Sequence, residues 1–396
     1  MENLLSGNNN MKYFFDNLNK FFVIAMASVL VRIFAFIIFM FINLENHKGH
    51  IVSPLVEQKG IDTAFYQEAA EQYKTYGWSI LYKKTEDFYK EPSTEYSGMS
   101  PMPLFPLLLI LTDYKDGNTI PLALLYLAFC CLLCLIWLRW LKDNGCPTIG
   151  LWLFTVIPNP IYFMVAVGTD LPFALLFSVF FVSYFSKNRN NYIWISALIL
   201  LFLMRPNSLS IGIFVILDQL LRDFNFGKRL NLIILSAMAL AVSVIGIFSL
   251  PYFVVYLDLS KDFTYFGISN AEYINGIYTN LPTFLDKALS ITTFLFAKIL
   301  YFCGLRPSYS DVSTEVVFLR AFVGIFLLPG LIYILFSKKR SLKMLIFIYM
   351  LPIFIGATQD RYHLTIFPIL YLYGIQLYAM AMKFIRERIQ YRFNGV

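Results

Sequence analysis

The chain has 396 residues, of which 58% are hydrophobic and only 14% are charged, and its mean hydropathy is +0.62. A soluble domain carries roughly 25% charged residues, so this composition excludes a soluble globular enzyme, together with the disordered, collagen-like and disulfide-scaffold classes. In lipid only helices and closed barrels satisfy every backbone polar group, and the apolar runs here are continuous rather than alternating. The composition therefore predicts an all-α polytopic membrane protein.

The net charge of +7 has the sign expected of a nucleic-acid-binding protein. In a membrane protein, basic cytoplasmic loops explain it better. We therefore expect membrane lipids, and no nucleic acid, as partners. Three of the five cysteines lie in one apolar run, at 130, 131 and 134, and we interpret them as small hydrophobic residues rather than as a disulfide framework.

The predicted elements begin with a cytoplasmic tail at 1–20, and a membrane-spanning helix needs roughly 20 apolar residues. The apolar runs that we predict to cross the membrane are 21–43, 119–140, 149–167, 171–186, 192–204, 207–221, 230–256, 316–336, 343–357 and 364–383. Two further pieces, 103–112 and 288–304, are predicted not to cross. Every second connection is then rich in Lys and Arg, which places those connections and both termini in the cytoplasm. The expected architecture is a bundle of about 10–12 transmembrane or re-entrant helices.

Between the predicted crossings lie two long polar segments, which the same rule places on the outer face. The first is 44–100, and within it the spacing of apolar and aromatic residues predicts an amphipathic helix over 61–76, lying at the membrane interface. The prolines at 101–106 predict an extended stretch before the chain turns helical again. A transmembrane core over 101–256 follows, then the second outer loop at 257–287, C-terminal crossings within 288–385 and a cytoplasmic tail at 386–396.

Several short motifs, in chain order, resemble those of one superfamily. The run DTAFYQEAA at 62–70 resembles an aspartate-led juxtamembrane helix, and PLFPL at 103–107 is similar to an element that re-enters the membrane. TDLPFALL at 169–176, RPN at 205–207 and DRY at 360–362 resemble later elements of the same enzymes. These are the GT-C superfamily glycosyltransferases, and the closest resemblance is to their mannosyltransferase-like branch.

The resemblance implies a GT-C-like bundle and an inverting hexosyltransferase. Such an enzyme moves a sugar, such as mannose or glucose, from a polyprenyl- or dolichyl-phosphate carrier to a glycan, lipid or protein acceptor on the non-cytoplasmic face. The glycosylphosphatidylinositol enzymes of this branch have a Trp-Asp pair, whereas here Ile61 precedes the aspartate. That departure favours a bacterial inner membrane, with the endoplasmic reticulum membrane as the alternative.

The reaction needs a carboxylate base for the acceptor hydroxyl and cationic groups for the departing phosphate. Asp62 is the predicted general base, since it lies at the head of the interfacial helix where the resemblance places the base; its alternative role is that of a helix cap. Asp170 is the second catalytic candidate, and its alternative role is also a cap. Together these two carboxylates leave open a divalent cation, Mg²⁺ or Mn²⁺.

The candidates for donor phosphate binding are Arg361, Arg205 and Arg306, because arginine offers a fork of donors to phosphate. Each could instead reach out to lipid headgroups. The candidates for substrate binding are Tyr66, Tyr362, His363 and Glu272, which lie in the predicted outer segments or at their borders. Arg32 falls near the middle of the first crossing and should therefore pair inside the bundle.

Two other functions stay open at this point. An O-antigen-type polysaccharide polymerase would use similar crossings, but its large outer loop would come late in the chain rather than at 44–100. A non-enzymatic flippase or transporter of lipid-linked sugars would carry charges at mid-depth in its crossings and show internal repeats.

Overall fold

The structure is a computed structural model, and it describes a set of ranges that together cover most of the chain. These are residues 20–41, 61–90, 102–114, 119–157, 161, 164, 168–187, 190–222, 229–262, 264–265, 268–280, 283–305, 314–356 and 360–394. About 89% of the described residues are helical. The all-α class predicted from composition is therefore confirmed.

The α-helices, in chain order, are α1 Lys20–Phe41, α2 Ile61–Tyr76, α3 Ser79–Lys90, α4 Leu104–Leu111, α5 Ile120–Asp143, α6 Thr148–Val156, α7 Asp170–Phe185, α8 Asn191–Met204, α9 Leu209–Arg222, α10 Arg229–Leu259, α11 Asn270–Asn280, α12 Phe284–Phe302, α13 Thr314–Phe336, α14 Arg340–Ile355 and α15 Phe367–Asn394. Short 3-10 helices lie at Pro206–Ser208, Ser260–Asp262 and Asp360–Thr365. Strands β1 (Thr264–Tyr265) and β2 (Ile268–Ser269) pair antiparallel, with Thr264 opposite Ser269.

Three of the described helices are long and apolar enough to cross a membrane, namely α1, α5 and the stretch Phe367–Gln390 of α15. The pieces Val242–Pro251 of α10 and Phe253–Asp262, which continues into the 3-10 helix after it, meet at 48° and together would make a fourth. Pro251 explains the bend, because a proline inside a helix removes a backbone hydrogen bond and clashes with the preceding turn. These helices suggest a membrane protein, and the number of crossings stays a prediction.

Two local predictions are wrong, and proline explains both. The helix predicted over 149–167 ends at Val156, and Ile157 is extended (φ −61°, ψ 129°) because the residue before a proline avoids the helical region. The extended stretch predicted over 101–106 turns helical at Leu104. Pro106 fits there because the first turn of a helix has no internal acceptor for its N–H groups.

Helix α7 lies in the interior of the bundle, packed against α5 and α8. Its sequence, DLPFALLFSVFFVSYF, is apolar on all sides, as expected of a helix that neighbours surround. Phe173, Phe177 and Phe180 are each 1% exposed or less, and in a membrane such close van der Waals packing, rather than removal from water, holds helices together. This packing fixes the start of α7, where Asp170 lies.

Helices α13 and α15 pack closely along their length. At their crossing, a Cβ added to Gly330 would overlap the carbonyl oxygen of Leu370, and one added to Gly374 would overlap that of Phe326. Small residues allow such a close approach of two backbones, as is common where helices pack in membranes. The crossing therefore depends on glycine at both positions.

Arg32 of α1 is fully buried, as the sequence predicts, and the structure identifies its partners. Its Nε donates to Cys134 Sγ at 2.8 Å, and one terminal nitrogen donates to Ser28 Oγ at 2.7 Å and to the Thr155 carbonyl oxygen at 3.3 Å. These partners are neutral acceptors on α1, α5 and α6. Arg32 therefore joins three helices rather than forming an ion pair within the described residues.

Candidate functional site

A buried ion pair lies at the start of α7. A terminal nitrogen of Arg205 donates to Asp170 Oδ1 at 2.6 Å, and the two side chains are each only 8% exposed. Asp170 is the first residue of α7, while Arg205 directly follows α8 in an extended conformation (φ −156°, ψ 137°). Pro206 keeps Arg205 out of the helical region and so turns the chain from α8 into the 3-10 helix Pro206–Ser208.

Aromatic rings surround the arginine of this pair. Its Cζ lies 5.4 Å from the centroid of the Tyr362 ring and 6.0 Å from that of Phe173. A guanidinium at such distances is attracted by the electron-rich ring face, more strongly where water is excluded. Tyr362 belongs to the 3-10 helix Asp360–Thr365, so the arginine connects α8 to the segment that precedes α15.

The amphipathic helix α2 reaches the same place. The hydroxyl of Tyr66 lies 3.5 Å from Thr169 Oγ1, directly beside Asp170, and the Tyr66 ring packs edge-on against Phe105 at 4.8 Å. Tyr66, Ala69, Ala70 and Tyr73 are buried, and they form the face that the sequence pattern predicts. The helix therefore docks on α4 and α7 through its apolar face.

Two further tyrosines hold the backbone around the pair. Gly168 N donates to the hydroxyl of Tyr126 at 3.2 Å, and that hydroxyl donates in turn to the Gly168 carbonyl oxygen. The hydroxyl of Tyr349 donates to the carbonyl oxygen of Tyr362 at 3.1 Å. Both the residues before Asp170 and the segment carrying Tyr362 are thus fixed by buried side chains. We call Tyr66, Thr169, Asp170, Arg205 and Tyr362 the Asp170 cluster.

The pairing changes the interpretation of its two charged members. The sequence suggests a cap for Asp170, but Thr169, the residue at the cap position of α7, makes no side-chain capping bond, and the carboxylate accepts from Arg205 instead. Burying a charge costs free energy unless it is paired or hydrogen-bonded, so each member of the pair stabilises the other. Arg205 is therefore a positioning residue for Asp170, and phosphate binding through Arg205 would require sharing it.

For three of the predicted site residues, the side chain is not among the parts of the chain that the structure describes. The backbone of Asp62 is helical, at the second position of α2, so Asp62 does not precede the helix as the predicted cap would. It lies one helical turn, or about 6 Å of helix rise, from Tyr66. The backbone of Arg361 is next to Tyr362 in the 3-10 helix Asp360–Thr365. Arg306 lies wholly outside the described ranges.

Two other candidates make contacts elsewhere. His363 is buried, and its Nδ1 lies 2.7 Å from the carbonyl oxygen of Phe302, so it packs against the end of α12. Glu272 is exposed and caps its own helix: its Oε2 accepts from Ser269 N at 2.8 Å, while Ser269 Oγ accepts from Glu272 N at 3.0 Å. The backbone N–H of Ser269 lowers the pKa of Glu272 below its ordinary value of 4.5. This reciprocal cap gives Glu272 a structural role at the start of α11.

Within the described ranges, no group of three or more His, Cys, Asp or Glu side chains could hold a metal ion. Asp170 is already engaged through Oδ1 by Arg205, and the Asp62 carboxylate lies outside those ranges. A divalent cation at this site therefore stays a prediction.

One buried cation was missed by the sequence reasoning. Lys298 of α12 is 3% exposed, and its Nζ donates to the carbonyl oxygens of Phe354 at 2.5 Å and Gly356 at 3.2 Å. It therefore holds the end of α14 against α12. The signal was available, since Lys298 interrupts an apolar run in the same way as Arg32 does.

Comparisons with protein-family models, with curated proteins and with solved structures find no match for this chain. The resemblance to the GT-C glycosyltransferases therefore depends on the motifs quoted above.

Proposed function

We propose that the chain is a multi-pass membrane glycosyltransferase of the GT-C type, which moves a hexose from a polyprenyl-phosphate carrier to an acceptor at the non-cytoplasmic face. One observation carries the proposal. The motifs behind the resemblance lie far apart in sequence, at 62–70, 169–176, 205–207 and 360–362, yet residues from each of them meet in the Asp170 cluster. Ionisable side chains are costly to bury inside a membrane bundle, and a buried pair such as Asp170 and Arg205 is therefore a candidate functional site.

The proposed reaction is a single displacement. The base takes the proton from the acceptor hydroxyl, the acceptor oxygen forms a bond to the anomeric carbon, and the bond from that carbon to the carrier phosphate oxygen breaks. The electron pair leaves with the phosphate, so the products are the glycosylated acceptor and the polyprenyl phosphate. Attack opposite the leaving group inverts the anomeric centre.

Asp62 is the proposed base because it lies one turn from Tyr66 on α2, which docks beside Asp170. Asp170 is hydrogen-bonded to Arg205 at 2.6 Å, so in this proposal its carboxylate holds the arginine instead of contacting the acceptor. In this proposal the ion pair positions α7 and the segment Asp360–Thr365 around the sugar. A positioned general base contributes about 10²–10⁴-fold to rate.

Arg361 is the proposed phosphate ligand, with Arg306 as the second candidate. Arg361 is adjacent to Tyr362, whose ring packs on the guanidinium of Arg205. Because Asp170 already neutralises Arg205, a further arginine at this position would supply the positive charge that a departing phosphate needs. Tyr66 and Tyr362 are buried and already packed on Phe105 and Arg205, so in this proposal they position the base and the arginines rather than contact the sugar.

The test is mass spectrometry of surface glycans and glycolipids from cells that lack the protein and are complemented with variants. We expect one species to lose a hexose-sized mass in the deletion strain and with Asp62→Asn, and to regain it with the wild type. The control is Glu68→Gln, an exposed carboxylate on the same helix, which should restore the sugar fully.

Restoration by Asp62→Asn would overturn the proposed base. A changed length distribution of a polysaccharide, with every residue type still present, would indicate a polymerase instead. Accumulation of the unused lipid-linked sugar on the cytoplasmic side in the deletion strain, relieved by Asp62→Asn as fully as by the wild type, would indicate a flippase.

A further inference from the structure

A cavity of about 620 Å³ lies where α5 and α7 end and α14 begins. It is separate from the Asp170 cluster: Asp170 begins α7, and Phe181, the first α7 residue that lines the cavity, follows after about 17 Å of helix rise. Nothing in the proposed glycosyl transfer uses it.

The cavity is strongly positive. Arg139, Lys187, Lys339 and Arg340 line it, and Asp143 is the one carboxylate among the lining residues. Asp143 accepts from Arg139 at 2.9 Å, which leaves three cations in excess. Within the described residues Lys187 and Arg340 form no ion pair, and Lys339 donates to a neutral group, the hydroxyl of Tyr373, at 2.7 Å.

The wall of the cavity also contains aromatic side chains. Trp140, Phe181, Phe185 and Tyr373 line it, and Trp140 packs edge-on against Phe181 at 5.3 Å. Trp140 and Phe185 are only partly buried, and a small inorganic anion would use the cations but leave the exposed parts of these two rings uncovered. A molecule that joins an anionic head to hydrocarbon chains would satisfy both surfaces.

We propose that this cavity binds the phosphate headgroup of an anionic phospholipid, with its acyl chains against the aromatic wall. The cations lie at the ends of apolar helices, where basic residues attract anionic headgroups. Free phosphate carries the same anionic group as the lipid head, and the experiment distinguishes a bound phospholipid from a bound soluble phosphate. The site is independent of the proposed enzyme activity.

The test is native mass spectrometry of the purified full-length protein in detergent, titrated with phosphatidylglycerol or with phosphatidylcholine. The wild type should retain phosphatidylglycerol in preference to phosphatidylcholine. The variant Lys187→Gln/Arg340→Gln should bind phosphatidylglycerol about 30-fold more weakly, with little change for phosphatidylcholine. Both residues are exposed, so the substitutions should leave the fold intact.

The matched control is Lys383→Gln/Arg386→Gln, which removes the same charge from an exposed stretch of α15 outside the cavity. An equal loss of phosphatidylglycerol in this control would overturn the proposal, because the attraction would then be diffuse. Equal retention of the two lipids by the wild type would also overturn it. Displacement of bound lipid by millimolar inorganic phosphate would assign the cavity to a soluble phosphate instead.

Discussion

Replacing Asp170 with alanine removes the carboxylate that Arg205 contacts at 2.6 Å, in surroundings where each side chain is only 8% exposed. Breaking a buried pair by removing one partner costs about 3–5 kcal/mol, because the remaining charge is left uncompensated in a medium that solvates it poorly. Against a total stability of about 5–15 kcal/mol, this is a large loss. We expect Asp170→Ala and Arg205→Ala each to cost that much.

The double variant separates the ion pair from simple loss of packing. In the double variant neither member of the pair is left buried without the other, so it should cost no more than either single variant. That outcome gives a coupling energy of about 3 kcal/mol or more. Reversible unfolding of the purified protein in mixed micelles provides the free energies. Asp143→Ala is the control, since it breaks an exposed pair (62% and 51% exposed) that is worth roughly 0.2–1 kcal/mol.

Single variants that each cost under about 1 kcal/mol, with additive effects, would refute this reasoning. That outcome would mean that water reaches Asp170 and Arg205 and that the cluster is open.

Three further predictions concern other parts of the fold. Cys134→Ala should lower stability by about 1–3 kcal/mol when Arg32 is present, since it removes the sulfur that accepts from Arg32 at 2.8 Å. In an Arg32→Met background the same substitution should cost much less. Equal losses of stability in the two backgrounds, measured by thermal unfolding, would contradict this. Gly330→Ala should cost about 1–3 kcal/mol or more in the same assay because its Cβ would overlap a carbonyl oxygen, whereas Gly246→Ala, with open space around it, should not destabilise. The low pKa of Glu272 means that its cap is formed at neutral pH and is lost as pH falls below 4.5; hydrogen-exchange protection of α11 should therefore drop with acidification in the wild type and be insensitive to pH in Glu272→Gln.

Much of the helical layout follows from the sequence, since apolar periodicity and helix-breaking residues set the helix bounds. The amphipathic helix predicted over 61–76 is present with the same bounds, and the run predicted over 192–204 appears as α8, Asn191–Met204. Proline caused the errors at 101–106 and 149–167, because its effect depends on where in a turn it falls.

The candidate site could be predicted from the sequence only in part. The sequence nominates Asp170 and Arg205 separately, since nothing in a linear pattern reveals that residues 35 positions apart form one ion pair. Arg32 is a similar case: burial could be inferred from its position in α1, but its partner Cys134 is 102 positions away. Tertiary packing chooses such partners, and the sequence restricts them only to the interior of the bundle.

The most direct test of the central claim is sugar transfer in isolated membranes supplied with radiolabelled polyprenyl-phosphate mannose or glucose. The wild type should transfer label to an acceptor, and Asp62→Asn should lower the rate by about 10²–10⁴-fold at an unchanged protein level. Glu68→Gln should behave as the wild type does. Transfer by Asp62→Asn at the wild-type rate, or no transfer dependent on this protein from either donor, would contradict the account.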